Sequence, residues 1–191
     1  MFITAAQALA LCRMGFGLYF LAQAWDKTAK GWLTSGAPLA SGLFGNPAAQ
    51  PPTRGFAANA EPFYRQFLES TVQPNALLFS QLVTIGEWAA GLLLVLGLLT
   101  RLGSLVSIWL VLNYMLMKGL PSLGGSSDRL FALASLAFLL GSAGLVWGLD
   151  GAWRHWLAGN ALTRWLAGIR EREEEVVRAR PAAAREAARS T

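Results

Sequence analysis

The stretch SQLVTIGEWAAGLLLVLGLLTR, residues 80–101, decides the fold. Between Leu82 and Leu99 it carries one charge, Glu87, and it stops at Thr100-Arg101. At about 1.5 Å per residue, a helix of roughly 20 such residues covers the ~30 Å hydrocarbon core of a bilayer. A carboxylate within such a helix costs about 3 kcal/mol or more, so it faces the bundle interior and needs a partner. The search for that partner orders the rest of the chain.

The preceding apolar stretch, residues 2–25, is broken by Arg13 and two glutamines. It ends at Trp25-Asp26-Lys27, an interfacial aromatic followed by charges. If this helix leaves the membrane at Trp25 and the next enters near Ala76, antiparallel packing sets Arg13 and Glu87 at one depth, roughly 17 Å from that face. Arg13 is therefore the expected partner of Glu87. The pair reads either as a structural ion pair that fixes helix register or as part of a proton or ligand site.

Two further apolar runs follow. Residues 102–120 form an expected third helix, with Asn113-Tyr114 as its main polar feature and Lys118 near its exit. A buried asparagine bonds a neighbouring helix or a ligand. After the turn PSLGGSSDR, residues 130–149 are uncharged and form the expected fourth helix, with Gly144 and Gly148 as a close-contact face.

Composition agrees with a membrane domain. Of 191 residues, 54% are hydrophobic and 14% charged, against about 25% charged in soluble domains. The net charge of +5 sits mostly in an arginine-rich C-terminus. It is read as a positive-inside signal rather than a nucleic-acid footprint. The only cysteine, Cys12, excludes an intrachain disulfide and a multi-cysteine metal site. The first segment lacks a basic leader and is interrupted by Arg13, which predicts a retained helix.

The expected architecture is all-α: a four-helix transmembrane bundle over residues 1–150, with a long outer loop at 26–75. Within that loop, GWLTSGAPLASGLFGNPAAQPP reads as irregular backbone. EPFYRQFLESTVQP reads as an amphipathic helix packed by Phe63, Phe67 and Leu68. Residues 151–180, which mix tryptophan with arginine, predict a C-terminal interfacial helix on the cytoplasmic side. Residues 181–191 predict a disordered tail. His155 belongs to that interface. The arginine bias predicts both termini in the cytoplasm and the long loop outside. Trp25, Lys27, Lys118, Asp128 and Arg129 then form the outer-face candidates.

Several motifs together resemble the DoxX family, and most closely its DoxD-type branch. They are Arg13, the Trp25-x-Lys27 exit, Gly86-Glu87 followed by Gly97-Leu98-x-Thr100-Arg101, Asn113-Tyr114, and AGLVWGLD at 143–150. The resemblance spans roughly residues 11–153. It implies the membrane subunit of a thiosulfate:quinone oxidoreductase in the inner membrane, beside a partner subunit. The alternative is an accessory subunit that anchors or stabilises a larger complex. No intramembrane histidine pair, CxxC or glycine-rich nucleotide loop is present, so no haem, metal or nucleotide site is visible. Under the resemblance, a quinone or the partner carries the electrons. Expected contacts are lipid and protein, not nucleic acid.

Overall fold

The computed structural model describes residues 3–46, 48–120 and 125–169, and among these every regular element is helical. Helix α1 (Ala5–Ala29) opens with a capping box: Thr4 Oγ1 accepts from Gln7 N–H, and Gln7 Oε1 accepts from Thr4 N–H. A short α2 (Ala37–Phe44) and a 3₁₀ turn at Phe56–Asn59 follow. Next come α3 (Pro62–Phe67), which continues as a π turn over Leu68–Val72, then α4 (Ala76–Leu96) and α5 (Thr100–Lys118). Helix α6 (Gly125–Leu140) is followed by the short α7 (Leu149–Ala152), α8 (Arg154–Leu157) and α9 (Ala161–Leu166). Helices α1, α4 and α5 are long and apolar enough to cross a membrane.

α1 packs along α4, α4 along α5 and α5 along α6, whereas α1 and α6 meet only sparsely. Small residues set the α1–α4 approach. A Cβ on Gly17 would lie 2.7 Å from Val95 N, and one on Gly91 would lie 2.7 Å from Leu21 Cδ2. Between α5 and α6, Ser107 Oγ and Ser135 Oγ hydrogen-bond at 2.8 Å, both fully buried. The core is Phe16, Phe20, Leu94, Leu110, Val111 and Phe138.

Several boundaries differ from those expected. α1 continues past Trp25 to Ala29, so the outer segment begins later than residue 26. The fourth helix covers Gly125–Leu140 instead of 130–149. Ser142, at φ 50°, turns the chain, and Ala143–Leu145 form a 3₁₀ turn. Gly144 and Gly148 therefore serve this tight inner loop and not a helix face. A Cβ on Gly144 would strike Thr100 Oγ1 and Asp150 Oδ2. The outer segment is less irregular than its glycines and prolines suggest, since α2 lies within it.

This segment forms a cap with a core of its own: Leu39, Leu43, Ala57, Ala60, Leu68 and Val72. The helix expected at its end is present, but its buried side chains are Leu68 and Val72, while Phe63 and Phe67 are exposed. Of the expected packing residues, Leu68 is buried as read, while Phe63 and Phe67, which precede the π turn, are not. Where one C-terminal interfacial helix was expected, residues 149–166 form three short helices. Residues 170–180 and the expected tail at 181–191 lie outside the described residues.

Candidate functional site

On α4 the residues Ser80, Thr84, Glu87, Gly91 and Leu94 form the buried stripe, spaced three or four apart. The stripe turns Glu87 inward, and the residue is 1% exposed. Its partner is Lys27 of α1. Lys27 Nζ lies 2.6 Å from Oε1 and 2.7 Å from Oε2. Tyr114 of α5 donates its hydroxyl to Oε1 at 2.6 Å. The Glu87 carboxylate is thus held by an ammonium and a phenol from two different helices.

The expected Arg13–Glu87 pair does not form. Fully buried, Arg13 donates from Nη1 to Leu94 O at 2.9 Å and from Nη2 to Trp147 O at 3.1 Å. Helix register accounts for the difference. Ser80 Oγ donates to Trp32 O, Gln81 Nε2 donates to Leu33 O at 2.9 Å, and Gly36 abuts Ala76 and Leu77. The first turn of α4 therefore lies beyond the end of α1, beside residues 32–36 and not beside Trp25. Continuing along the pair, Trp88 Nε1 meets Thr28 Oγ1, Gly91 meets Leu21 and Val95 meets Gly17. Arg13 then falls opposite Gly97, where the α4 ladder ends in free carbonyls that a cation satisfies.

The inner end is a separate polar cluster. Gly97 is left-handed (φ 61°) and closes α4 with its N–H on Leu93 O. Asp150 accepts from Leu99 N–H at 2.6 Å and Thr100 N–H at 2.9 Å, capping α5 from a distant part of the chain. Burial pushes the Asp150 carboxyl up from its usual range, against those hydrogen bonds and the nearby charge of Arg13.

Around Glu87 opens a cavity of about 380 Å³ between the outer halves of the helices and the cap. Its walls are largely aromatic, with Phe20, Trp32, Phe67, Phe79 and Phe131 among them. A second ion pair borders it: Lys118 Nζ on Asp128 Oδ1 and Oδ2, at 3.1 and 2.8 Å. The Tyr114 ring lies between the two ammonium groups, 5.7 Å from Lys27 Nζ and 5.9 Å from Lys118 Nζ. Tyr64 of the cap donates to Asn113 Oδ1 at 2.7 Å, tying the cap to α5. Burial pushes the Tyr64 phenol up.

Of the residues expected from sequence, Glu87, Asn113, Tyr114, Lys27, Lys118 and Asp128 line this one cavity. Arg13 lies at the other end. Trp25 is 67% exposed and faces away, and Arg129 is exposed and donates to Leu120 O. Sequence reading did not single out Tyr19, Gln23, Trp32 or Tyr64 as cavity residues. The first two could have been found, because Tyr19, Gln23 and Lys27 recur every fourth residue and so share one face of α1. Trp32 and Tyr64 reach the cavity only through the fold of the cap.

The sequence model of a family described as TQO small subunit DoxD matches residues 53–150, more than half of the chain. The chain belongs to the DoxD family. With its three apolar helices, this DoxD chain is a multi-pass membrane protein. The DoxD match includes Tyr64, Glu87, Asn113, Tyr114, Lys118, Asp128 and Asp150, while the α1 face of the cavity precedes it. No curated protein and no solved structure matches the chain.

Proposed function

We propose that this chain is the quinone-handling membrane subunit of an oxidoreductase of the thiosulfate:quinone type, with its electron donor oxidised at the outer face. The observation that carries the reading is the aromatic cavity closed on the Lys27–Glu87–Tyr114 cluster. Its volume of about 380 Å³ falls in the ordinary range of small-molecule sites. Flat apolar walls suit a quinone ring, and the phenol and ammonium are donors suited to its oxygens. A bound quinone supplies the electron-accepting chemistry. The chain orients it, excludes water, and holds the Tyr114 hydroxyl at the cavity wall on Glu87 Oε1, as a proton donor beside the quinone oxygens.

The same reading places the chain in the inner membrane with four crossings and both termini cytoplasmic. It is supported by the course of α6. This helix starts beside Lys118 through Asp128 and ends where Arg101 Nε meets Leu139 O at 3.2 Å, so it traverses the length of α5. The cap then faces outward, where a soluble partner subunit would deliver electrons.

The test is purification in mild detergent, with extraction of bound quinone and identification of co-purifying proteins. Thiosulfate-dependent reduction of a short-tailed quinone is then assayed. Bound quinone, together with turnover that falls in Tyr114→Phe, supports the proposal. A stable larger complex without quinone and without quinone reduction would identify an accessory anchoring subunit instead.

A further inference from the structure

The cavity contains four charged side chains, Lys27, Glu87, Lys118 and Asp128, and they cancel in two closed pairs. An anionic substrate would have to break one of these pairs inside an apolar chamber, and a cation would have to do the same. Breaking a buried pair leaves an uncompensated charge. The chamber is therefore built for a neutral molecule.

Several polar groups on its wall make no hydrogen bond among the described residues: the indole N–H groups of Trp32 and Trp109, and two side chains of α1. Tyr19 and Gln23 follow the same α1 face as Lys27, and among the described residues neither side chain makes a hydrogen bond. Tyr19 is 42% exposed, and its ring is held by Phe131 at 4.9 Å and Phe20 at 6.1 Å. A hydroxyl and an amide at membrane depth with no acceptor are costly, and a ligand oxygen would relieve both.

Their location also indicates a route. Tyr19 lies on the sparse α1–α6 seam, against Phe131 of α6, and Gln23 sits one turn outward on the same face of α1. Inward of Tyr19 the seam is sealed by Phe16 against Phe131 and Phe138, at 5.3 and 5.6 Å. Outward of it, the cavity lies between Gln23 and Lys27 on one side and Asp128 on the other.

We infer that the cavity takes an uncharged, ring-bearing amphiphile from the bilayer through the α1–α6 seam, and that the Tyr19 hydroxyl and Gln23 amide hydrogen-bond its oxygens. This rests on the quinone reading and narrows it: the chamber serves the neutral acceptor, and an anionic donor is oxidised outside it.

The test is equilibrium binding of a short-tailed benzoquinone to the purified full chain in detergent, followed by tryptophan quenching. It compares wild type with Tyr19→Phe and Gln23→Leu and monitors thermal stability alongside. Neither group has a partner in the fold, so the thermal midpoints of the ligand-free variants should hold or rise, and a fall would show a structural role instead. Each substitution should weaken binding by roughly five- to tenfold, the worth of about one hydrogen bond. Thiosulfate at millimolar concentration should not compete. Equal affinity in wild type and both variants would overturn the assignment while leaving quinone binding intact. Competition by thiosulfate would overturn the neutral chamber. A wild-type chain that binds no quinone would overturn both this inference and the function on which it rests.

Discussion

Lys27 of α1 holds both carboxylate oxygens of Glu87 of α4, at 2.6 and 2.7 Å, with the lysine side chain 14% and the glutamate 2% exposed. This contact joins the first and second apolar spans and neutralises both charges at the cavity wall. Breaking such a pair from one side leaves the other charge without compensation. Lys27→Met and Glu87→Leu should each lower stability by about 3 kcal/mol, toward the lower end for buried pairs because the lysine keeps some access to water. The double variant should recover much of the loss. Unfolding in mixed micelles measures all three, and a double variant as unstable as the sum of the singles would refute the pairing.

Arg13 and Glu87 should be energetically independent. They bind different partners about two turns apart along α4, Leu94 O in one case and Lys27 in the other. A double-mutant cycle with Arg13→Met and Glu87→Leu should be additive within about 0.5 kcal/mol. A larger coupling would restore the direct pair.

Gly97→Ala should destabilise the inner end. The residue is left-handed at φ 61°, and a Cβ there would run into Arg13 Nη1. The backbone term alone is about 1–2 kcal/mol, and displacing a buried guanidinium adds to it. The readout is the thermal midpoint in detergent. A midpoint equal to wild type would show that Arg13 does not occupy this position.

Asp150 should impose a pH slope. Burial raises its carboxyl above the ordinary 3.8, although Thr100, Leu99 and Arg13 oppose the shift. A folded pKa above the unfolded one means that the fold holds the extra proton. The resulting stabilisation is full below the unfolded value and is lost as pH rises through the folded value. Asp150→Asn keeps an acceptor for the α5 cap and should remove that slope. Asp150→Ala also removes the cap and should cost about 1–2 kcal/mol more. Stability curves for Asp150→Asn and wild type that run parallel through the carboxyl range would contradict this account.

The cap and the inner loop show why parts of the chain resist reading in one dimension. The apolar spacing of residues 63–72 does not tell which part of it the cap covers: Leu68 and Val72 are buried and Phe63 is exposed. Ser142 breaks an uncharged run that continues in sequence to Leu149, because Gly144 must pass close to Thr100 and Asp150. Composition alone cannot report a steric demand made by residues tens of positions away.

What the sequence determined by itself is the class: apolar runs long enough for a bilayer, their polar interruptions, and the residues Glu87, Asn113, Tyr114, Lys27, Lys118 and Asp128 that line the cavity. These follow from local free energies, since transfer into lipid and backbone satisfaction are paid residue by residue. Which charge meets which was decided only in the tertiary structure. Residues 30–75 carry α4 past the end of α1, so that Ala76 stands beside Gly36. That displacement exchanges Arg13 for Lys27 at Glu87 and sends Arg13 to the carbonyl end of α4. The offset depends on how the cap packs around Leu39, Leu43, Leu68 and Val72, a sum of long-range contacts that no single helix encodes.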